Sequence, residues 1–253
     1  LNGLDITLKN SIVILSQNLR NGNDGNGNDL ADRQPRFQKL VQQYQPDIIG
    51  VQEDNASWKA YINQNLFKDY GVVGKNHVNS ILYKRSRFEL VKNGMFWLSE
   101  TPEAVSKGWD GECIRTATWA LFKDKKTGNK FYFVNTHLDH VGKEARKNGV
   151  KLILDRITMM NKDNLPVILT GDFNMKPADM TIREVEAQLV NARKAADKTD
   201  NTGTFNNWGK SSDIIDYIFY SGFTSCPEFQ TVTKKYDNRK FVSDHYPITV
   251  QLT

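Results

Sequence analysis

Eight residues stand where apolar runs of the chain stop: Asn18, Glu53, His137, Asp172, Asn174, Asp216, Asp244 and His245. Carboxylates and amides offer oxygen donors to a hard cation, and imidazoles can give or take a proton. Charged and imidazole groups are costly to bury without partners, so a set of them at strand ends is better suited to chemistry than to packing. The clearest case is the stretch 166–174, Pro-Val-Ile-Leu-Thr-Gly-Asp-Phe-Asn. Its β-branched run reads as a buried strand, and Gly171 permits a tight change of direction that delivers Asp172 and Asn174 side by side. An Asx-rich turn would look the same in isolation. Four other apolar runs end in the same way, and that repetition favours a shared site. Glu53, at the end of an apolar strand, is the first choice of ligand for a hard cation.

The elements that must position these groups alternate. Ile12 to Leu15 form a continuous apolar strand ending in Gln17-Asn18-Leu19-Arg20. Residues 21–29 are only Asn, Gly and Asp, a loop by composition. Read from Asp24 as a calcium loop, it has Asp29 where glycine is needed and Pro35 where glutamate is needed, so that reading fails. Phe37, Leu40, Val41 and Tyr44 form one stripe of a helix, with Asp32 as its expected cap and Pro46 as its stop. A strand over 47–51 follows, ending in Gln52-Glu53. Short strands are expected over 79–83 and 95–98, and a hairpin with arms 116–122 and 130–136. The longest helix is expected over 142–161, with Val150, Ile153, Leu154, Ile157 and Met160 on its apolar face. Lys143, Arg146 and Lys147 crowd its first turns, against the helix dipole. A helix carrying Ile182, Val185 and Leu189 comes after the 166–174 stretch, and strands over 214–220 and 248–252 complete the pattern. Strand, helix, strand in this order is layered α/β construction.

At 253 residues and 39% hydrophobic, the chain suits one large domain over 1–253. No apolar stretch reaches the roughly 18 to 20 residues of a membrane span. The net charge of +5, from 34 basic and 29 acidic residues, tilts only mildly towards anionic partners. The lysine-rich stretches 123–130 and 234–240 read as solvated faces. Cys113 and Cys226 could form one bridge or none. The sequence begins at Leu1, so a removed leader and a periplasmic or secreted location are expected, and the protein is expected to be a monomer.

Gly171-Asp172-Phe173-Asn174, Gln52-Glu53, Asn135-Thr136-His137 and Ser243-Asp244-His245-Tyr246-Pro247 together resemble the endonuclease/exonuclease/phosphatase superfamily of divalent-metal phosphoesterases. The resemblance runs from about Ile12 to Val250 with the motifs in the family's order. It is closest to the stand-alone bacterial branch, which includes sugar-phosphate phosphatases. It implies a four-layer αββα sandwich, two packed mixed β-sheets flanked by helices. It also implies that Asp172 activates the attacking water, that Asn174 orients it, and that His245 and His137 contact the phosphate. Asp216 then pairs with one of these histidines, and a carboxylate behind an imidazole keeps it charged. Asn18, Tyr83 and Arg115 are the implied substrate contacts. Glu53, Asn18 and Asp244 are the implied holders of Mg2+, with Mn2+ as a substitute. Trp97, Trp109 and Trp208 are candidate pocket walls, with Trp97 better suited to the core.

Rival readings make different demands. A metallo-β-lactamase site needs His-x-His-x-Asp-His, but Asn135 holds the first ligand position of the matching stretch and the chain has four histidines in all. A phosphate-binding module without activity would be expected to lack Glu53, Asp172 or His245, and all are present. A nuclease acting on DNA or RNA should have a basic groove. The mild charge and the branch resemblance instead favour a small phosphorylated metabolite, such as a sugar phosphate.

Overall fold

The computed structural model describes residues 10–75, 77–239 and 241–253. The elements of the first half are β1 (Ile12–Asn18), α1 (Leu30–Tyr44), β2 (Ile48–Gln52), α2 (Ala56–Asn65), β3 (Tyr70–Val73), β4 (Ile81–Lys84), β5 (Phe88–Trp97) and β6 (Thr116–Asp124). The second half adds β7 (Lys130–His137), α3 (Lys143–Met160), β8 (Val167–Asp172), α4 (Met180–Glu186), β9 (Val190–Asn191), α5 (Ala192–Ala195), β10 (Asp216–Ser221), β11 (Glu228–Thr231) and β12 (Ile248–Leu252).

The continuous apolar runs are strands buried on both faces. Ile14, Ile48, Ile168 and Ile218 turn into a core between two sheets with Phe122 and Phe133. Their neighbours Leu15 and Ile49 turn outward onto Phe37, Leu40 and Trp58 of α1 and α2. Leu169 and Phe219 turn outward onto Ile153, Leu154, Ile182 and Val185 of α3 and α4. Successive residues point to opposite faces, so one run feeds two cores. The result is a four-layer αββα sandwich of two six-stranded mixed sheets, ordered β11-β12-β1-β2-β4-β3 and β5-β6-β7-β8-β10-β9.

Topology brings the chemistry to one edge. β1 and β2 are parallel and end together at Asn18 opposite Gln52. β7 and β8 are parallel and end at His137 opposite Asp172. β10 and β12 run the other way, so Asp216 starts opposite Asp172, and Ile248, just after the Ser243 to His245 segment, starts opposite Ser16.

Just below that edge the sheets are joined by polar groups. Asn135 donates to the carbonyls of Val51 and Ser80 at 2.7 and 3.1 Å and accepts from Gln52 at 2.8 Å and Thr170 at 3.0 Å. Gly50 makes room for this, because a Cβ there would lie 2.4 Å from Thr170 Oγ1. The asparagine that interrupts the zinc-like histidine pattern is therefore an inter-sheet tie.

Several local expectations change. The α1 N-cap is Asp29, and Asp32 sits one turn inside, accepting from the Asp29 N–H at 3.2 Å. The strand expected over 95–98 is the end of ten-residue β5, which has a register shift between Leu90 and Lys92. The Leu189 side chain is buried but follows the end of α4. Cys113 and Cys226 are both free thiols. Among the described residues, no helix is long and apolar enough to cross a membrane.

Candidate active site

Sheet one supplies an acidic rim. Asn18 donates its side-chain N–H to Asp172 Oδ2 at 3.0 Å and to Glu53 Oε1 at 3.2 Å, while its oxygen accepts from the Arg20 N–H at 2.9 Å. The amide thus bridges two carboxylates through its nitrogen and turns its oxygen to the Arg20 N–H. Glu53 also accepts from the Asn21 N–H at 3.0 Å. Its φ of 59° is left-handed, a conformation that costs a non-glycine residue roughly 1–2 kcal/mol and that collects at functional sites. Asp244 lies 3.9 Å from Arg20 Nε, and Arg20 is itself paired to Asp24 through Nε and Nη2 at 3.0 and 2.8 Å.

Sheet two supplies the reactive centre. Asp172 is buried, with Oδ1 accepting from the Asn174 N–H at 3.0 Å. Its Oδ2 is 3.4 Å from His137 Nε2 and 3.7 Å from His245 Nε2. Asn174, with φ 49°, donates its side-chain N–H to the Leu138 carbonyl at 2.9 Å. Its amide oxygen is then the group left to orient a nucleophile.

The two histidines are backed by opposite charges. His245 Nδ1 is 2.8 Å from Asp216 Oδ2. Burial opposes a charged ring there, but Asp216, Asp172 and Asp244 outweigh it and push the His245 pKa up to about 10. His137 Nδ1 instead faces Arg115 Nη1 at 3.1 Å. Burial and the Arg115 charge hold His137 well below its ordinary value, so it is neutral. A guanidinium only donates, so Nδ1 accepts and the proton of His137 sits on Nε2, facing Asp172. The histidine that pairs with Asp216 is therefore His245, whereas the partner of His137 is a cation. Burial and then the Asp216 charge push the Asp172 carboxyl up to about 7, the range suited to proton transfer near neutrality.

Glu53 and Asp244 fit a hard cation. Burial and the neighbouring Glu53 charge raise the Asp244 pKa despite His245 and Arg20, the signature of carboxylates held close with too little positive charge between them. Asp172, Asp216 and His245 also bring potential ligand atoms within 4.8 Å of one another. A protonated imidazole cannot ligate, and both His245 nitrogens already face carboxylates, so Glu53 and Asp244 are the better oxygen donors for a hard cation.

Of the residues expected in the site, Asn18, Glu53, Arg115, His137, Asp172, Asn174, Asp216, Asp244 and His245 come together. Tyr83 does not. It pairs with Ile48, at the far end of β2 from Glu53, and its ring packs on Phe122 with centroids 4.9 Å apart. Trp97 meets His77 edge to face, Trp109 lies in the loop before Arg115, and Trp208 lies over the Arg33 guanidinium. Arg20 was not anticipated, since a basic residue after a strand resembles a solvated flank; its signal is its place two residues past Asn18. Asp139 and His140 acquire roles. Asp139 accepts from the N–H groups of Glu112, Cys113, Val141 and Gly142, and His140 Nδ1 faces Arg115 Nη2 at 3.2 Å. Arg146, one of the cations at the start of α3, donates to the Asp139 carbonyl at 3.0 Å.

A sandwich with paired carboxylates, amides and histidines at one strand edge defines a phosphoesterase of the DNase I-like class. The family model for the endonuclease/exonuclease/phosphatase family matches residues 15–245, and the chain belongs to that family. Members of the family are hydrolases of phosphoester bonds. Among solved structures, an endonuclease/exonuclease/phosphatase family protein from Bacteroides thetaiotaomicron is 33% identical with a TM-score of 0.88, covering 96% of this chain and 97% of the other. A mannosyl-6-phosphatase from Bacteroides thetaiotaomicron VPI-5482 is 33% identical with a TM-score of 0.87, covering 96% and 99%. TDP2 of D. rerio, solved with a single-stranded DNA product, shares the fold at 19% identity and a TM-score of 0.78, covering 96% and 99%. No curated protein sequence matches the chain.

Proposed function

We propose that the chain is a magnesium-dependent phosphatase that releases phosphate from a small phosphorylated metabolite, such as a sugar phosphate, by direct attack of water. The observation that carries this reading is the convergence of Asn18, His137 and His245 on one oxygen of buried Asp172. The similarity over nearly the full length of both chains to a mannosyl-6-phosphatase supports the substrate class.

Glu53 and Asp244 would hold the cation, and Mg2+ or Mn2+ bound there would neutralise charge on phosphate oxygens. Asp172, with a raised pKa, accepts a proton from the attacking water, whose oxygen forms the new bond to phosphorus as the ester P–O bond breaks, and the departing oxygen keeps the bonding pair and takes a proton from solvent to leave as the alcohol. The oxygen of Asn174 orients that water. His245, charged through Asp216, donates Nε2–H to a phosphate oxygen, and its 3.7 Å separation from Asp172 leaves that donor unspent. His137 adds a neutral donor, and Arg115 holds its tautomer.

Phosphate release with magnesium from hexose phosphates, nucleotides and phosphoinositides, measured beside phosphocholine release from sphingomyelin and nicking of plasmid DNA, tests the proposal. Hydrolysis of hexose phosphates that disappears in folded Asp172→Ala is expected. Cleavage of plasmid DNA alone would overturn the metabolite assignment. A wild type inactive on every substrate would favour a non-catalytic phosphate binder.

A further inference from the structure

A cavity of about 470 Å³ is lined by Asp24, Asn26, Asn28, Trp208, Asn238 and Arg239. Two ion pairs through Arg20 link its wall to the proposed cation site. Arg20 faces Asp244 on one side and grips Asp24, part of the cavity wall, on the other. The tryptophan loop is fixed to the same residue, because the N–H groups of Asn206 and Asn207 both donate to the Asp244 carbonyl, at 2.8 and 3.0 Å.

The cavity is built by buried arginines. Arg33 is fully buried; its Nε donates to the Asn28 carbonyl and its Nη2 to those of Arg20 and Gly22, and its guanidinium lies between the rings of Trp58 and Trp208, 5.7 and 5.6 Å from their centroids. Arg36 ties two walls together, donating to the carbonyls of Gly27 at 2.7 Å and Phe241 at 3.0 Å. The Arg239 guanidinium rests on Gly27, where a Cβ would meet it at 3.0 Å. Left-handed backbone gathers here too, at Asn26, Asn207, Trp208, Asp237 and Asn238. Trp208, with φ 56°, is the most telling, since a bulky residue rarely adopts that conformation unless its surroundings impose it.

The lining is neither a hydrophobic slot nor a cationic track. The amides of Asn26, Asn28 and Asn238 both give and accept hydrogen bonds, as hydroxyl groups do, and Trp208 and Phe241 supply aromatic surface. Lys210 and Arg239 are the cations that line it, while Arg33 and Arg36 behind the walls are spent on backbone carbonyls and Arg20 is paired to Asp24; a groove for a phosphate backbone needs a run of free cations. From this geometry we infer that the cavity is a leaving-group subsite that binds the hydroxyl-rich, carbohydrate part of the substrate. The inference rests on the sugar-phosphate reading and deepens it.

Asn26 and Asn238 have φ of 53° and 58°, so Asn26→Gly and Asn238→Gly remove the amides while keeping a backbone that glycine adopts freely. The test compares kcat/KM for mannose 6-phosphate with that for ethyl phosphate, whose alcohol is too small to reach the cavity. In the double variant, with folding checked by circular dichroism, the mannose 6-phosphate to ethyl phosphate ratio should fall about tenfold or more, chiefly through KM. A general disturbance of the catalytic edge lowers both rates together and leaves the ratio unchanged. An unchanged ratio in a wild type that does cleave mannose 6-phosphate overturns the subsite and leaves the phosphatase reading standing. A wild type that cleaves nucleotides but no sugar phosphate overturns the subsite and the sugar-phosphate reading together, and leaves a metabolite phosphatase.

Discussion

Nη1 of Arg115 lies 3.1 Å from Nδ1 of His137, so one of the two histidines nearest Asp172 is held neutral by a cation. Arg115→Ala should release that ring to titrate and to change tautomer. A loss of kcat of about 10- to 100-fold is expected, the size of a misplaced proton donor. Nitrogen-15 NMR of the imidazoles provides the direct check: a single Nε2–H form of His137 in the wild type and a tautomer mixture in the variant. A mixture in the wild type would remove the role given to Arg115.

Asp216→Asn deprives His245 of its closest anionic partner. Its pKa should drop from about 10, and the alkaline limb of the kcat profile should move to lower pH. The accompanying fall in kcat should be roughly 10²- to 10³-fold, as for other losses of electrostatic support at a transition state. An unmoved alkaline limb would assign that limb to another group.

Stability of the metal-free protein should fall with alkalinity. The folded-state pKa of His245 is raised above 6.5, so its contribution is complete below about 6.5 and is lost as pH rises through about 10. Asp172 is also raised, from 3.8 to about 7, and acts in the same direction between those values, because the folded state holds its proton more tightly. Thermal unfolding in EDTA at constant ionic strength should give a Tm that declines between pH 6 and 9, with a shallower decline in His245→Asn. Equal slopes in the two proteins would contradict the assignment.

Glu53→Gln keeps the shape of the left-handed corner and removes its charge. The magnesium concentration for half-maximal activity should rise about tenfold or more. Binding of Mn2+, followed by electron paramagnetic resonance, should weaken in parallel, and EDTA should abolish wild-type activity until metal is restored. Unchanged Mn2+ affinity would move the cation away from the acidic rim.

Gly50→Ala would place a methyl group against Thr170 Oγ1 and Asn135 Oδ1, 2.4 and 2.7 Å from its ideal position. Overpacking of this kind costs about 1–3 kcal/mol, readable as a lower urea midpoint at constant slope. A variant as stable as wild type would show that the sheets can part locally at no cost.

The central strands and most of the active edge were legible because the strands buried on both faces read as unbroken apolar runs, and an abrupt polar residue marks where each stops. Edge strands β3, β9 and β11 are two to four residues long and α2 buries only Trp58 and Ile62, too little for a period to show. Tyr83 was misplaced for a topological reason. β4 runs antiparallel to β2, with Ile81 opposite Gly50, so its first residues and not its last lie towards the catalytic edge. The protonation of His137 was hidden as well, because it depends on an arginine that precedes a different strand, β6. The cavity beside Trp208 draws on three segments far apart in sequence, each of which reads alone as a polar loop.

The tie at Asn135 also bears on how the molecule fails. Each sheet carries only part of the reactive set, and the bond that keeps the two halves in register lies directly beneath it. Loosening the sandwich therefore separates the groups before the chain has melted, and heating should extinguish turnover no later than the first spectroscopic sign of unfolding.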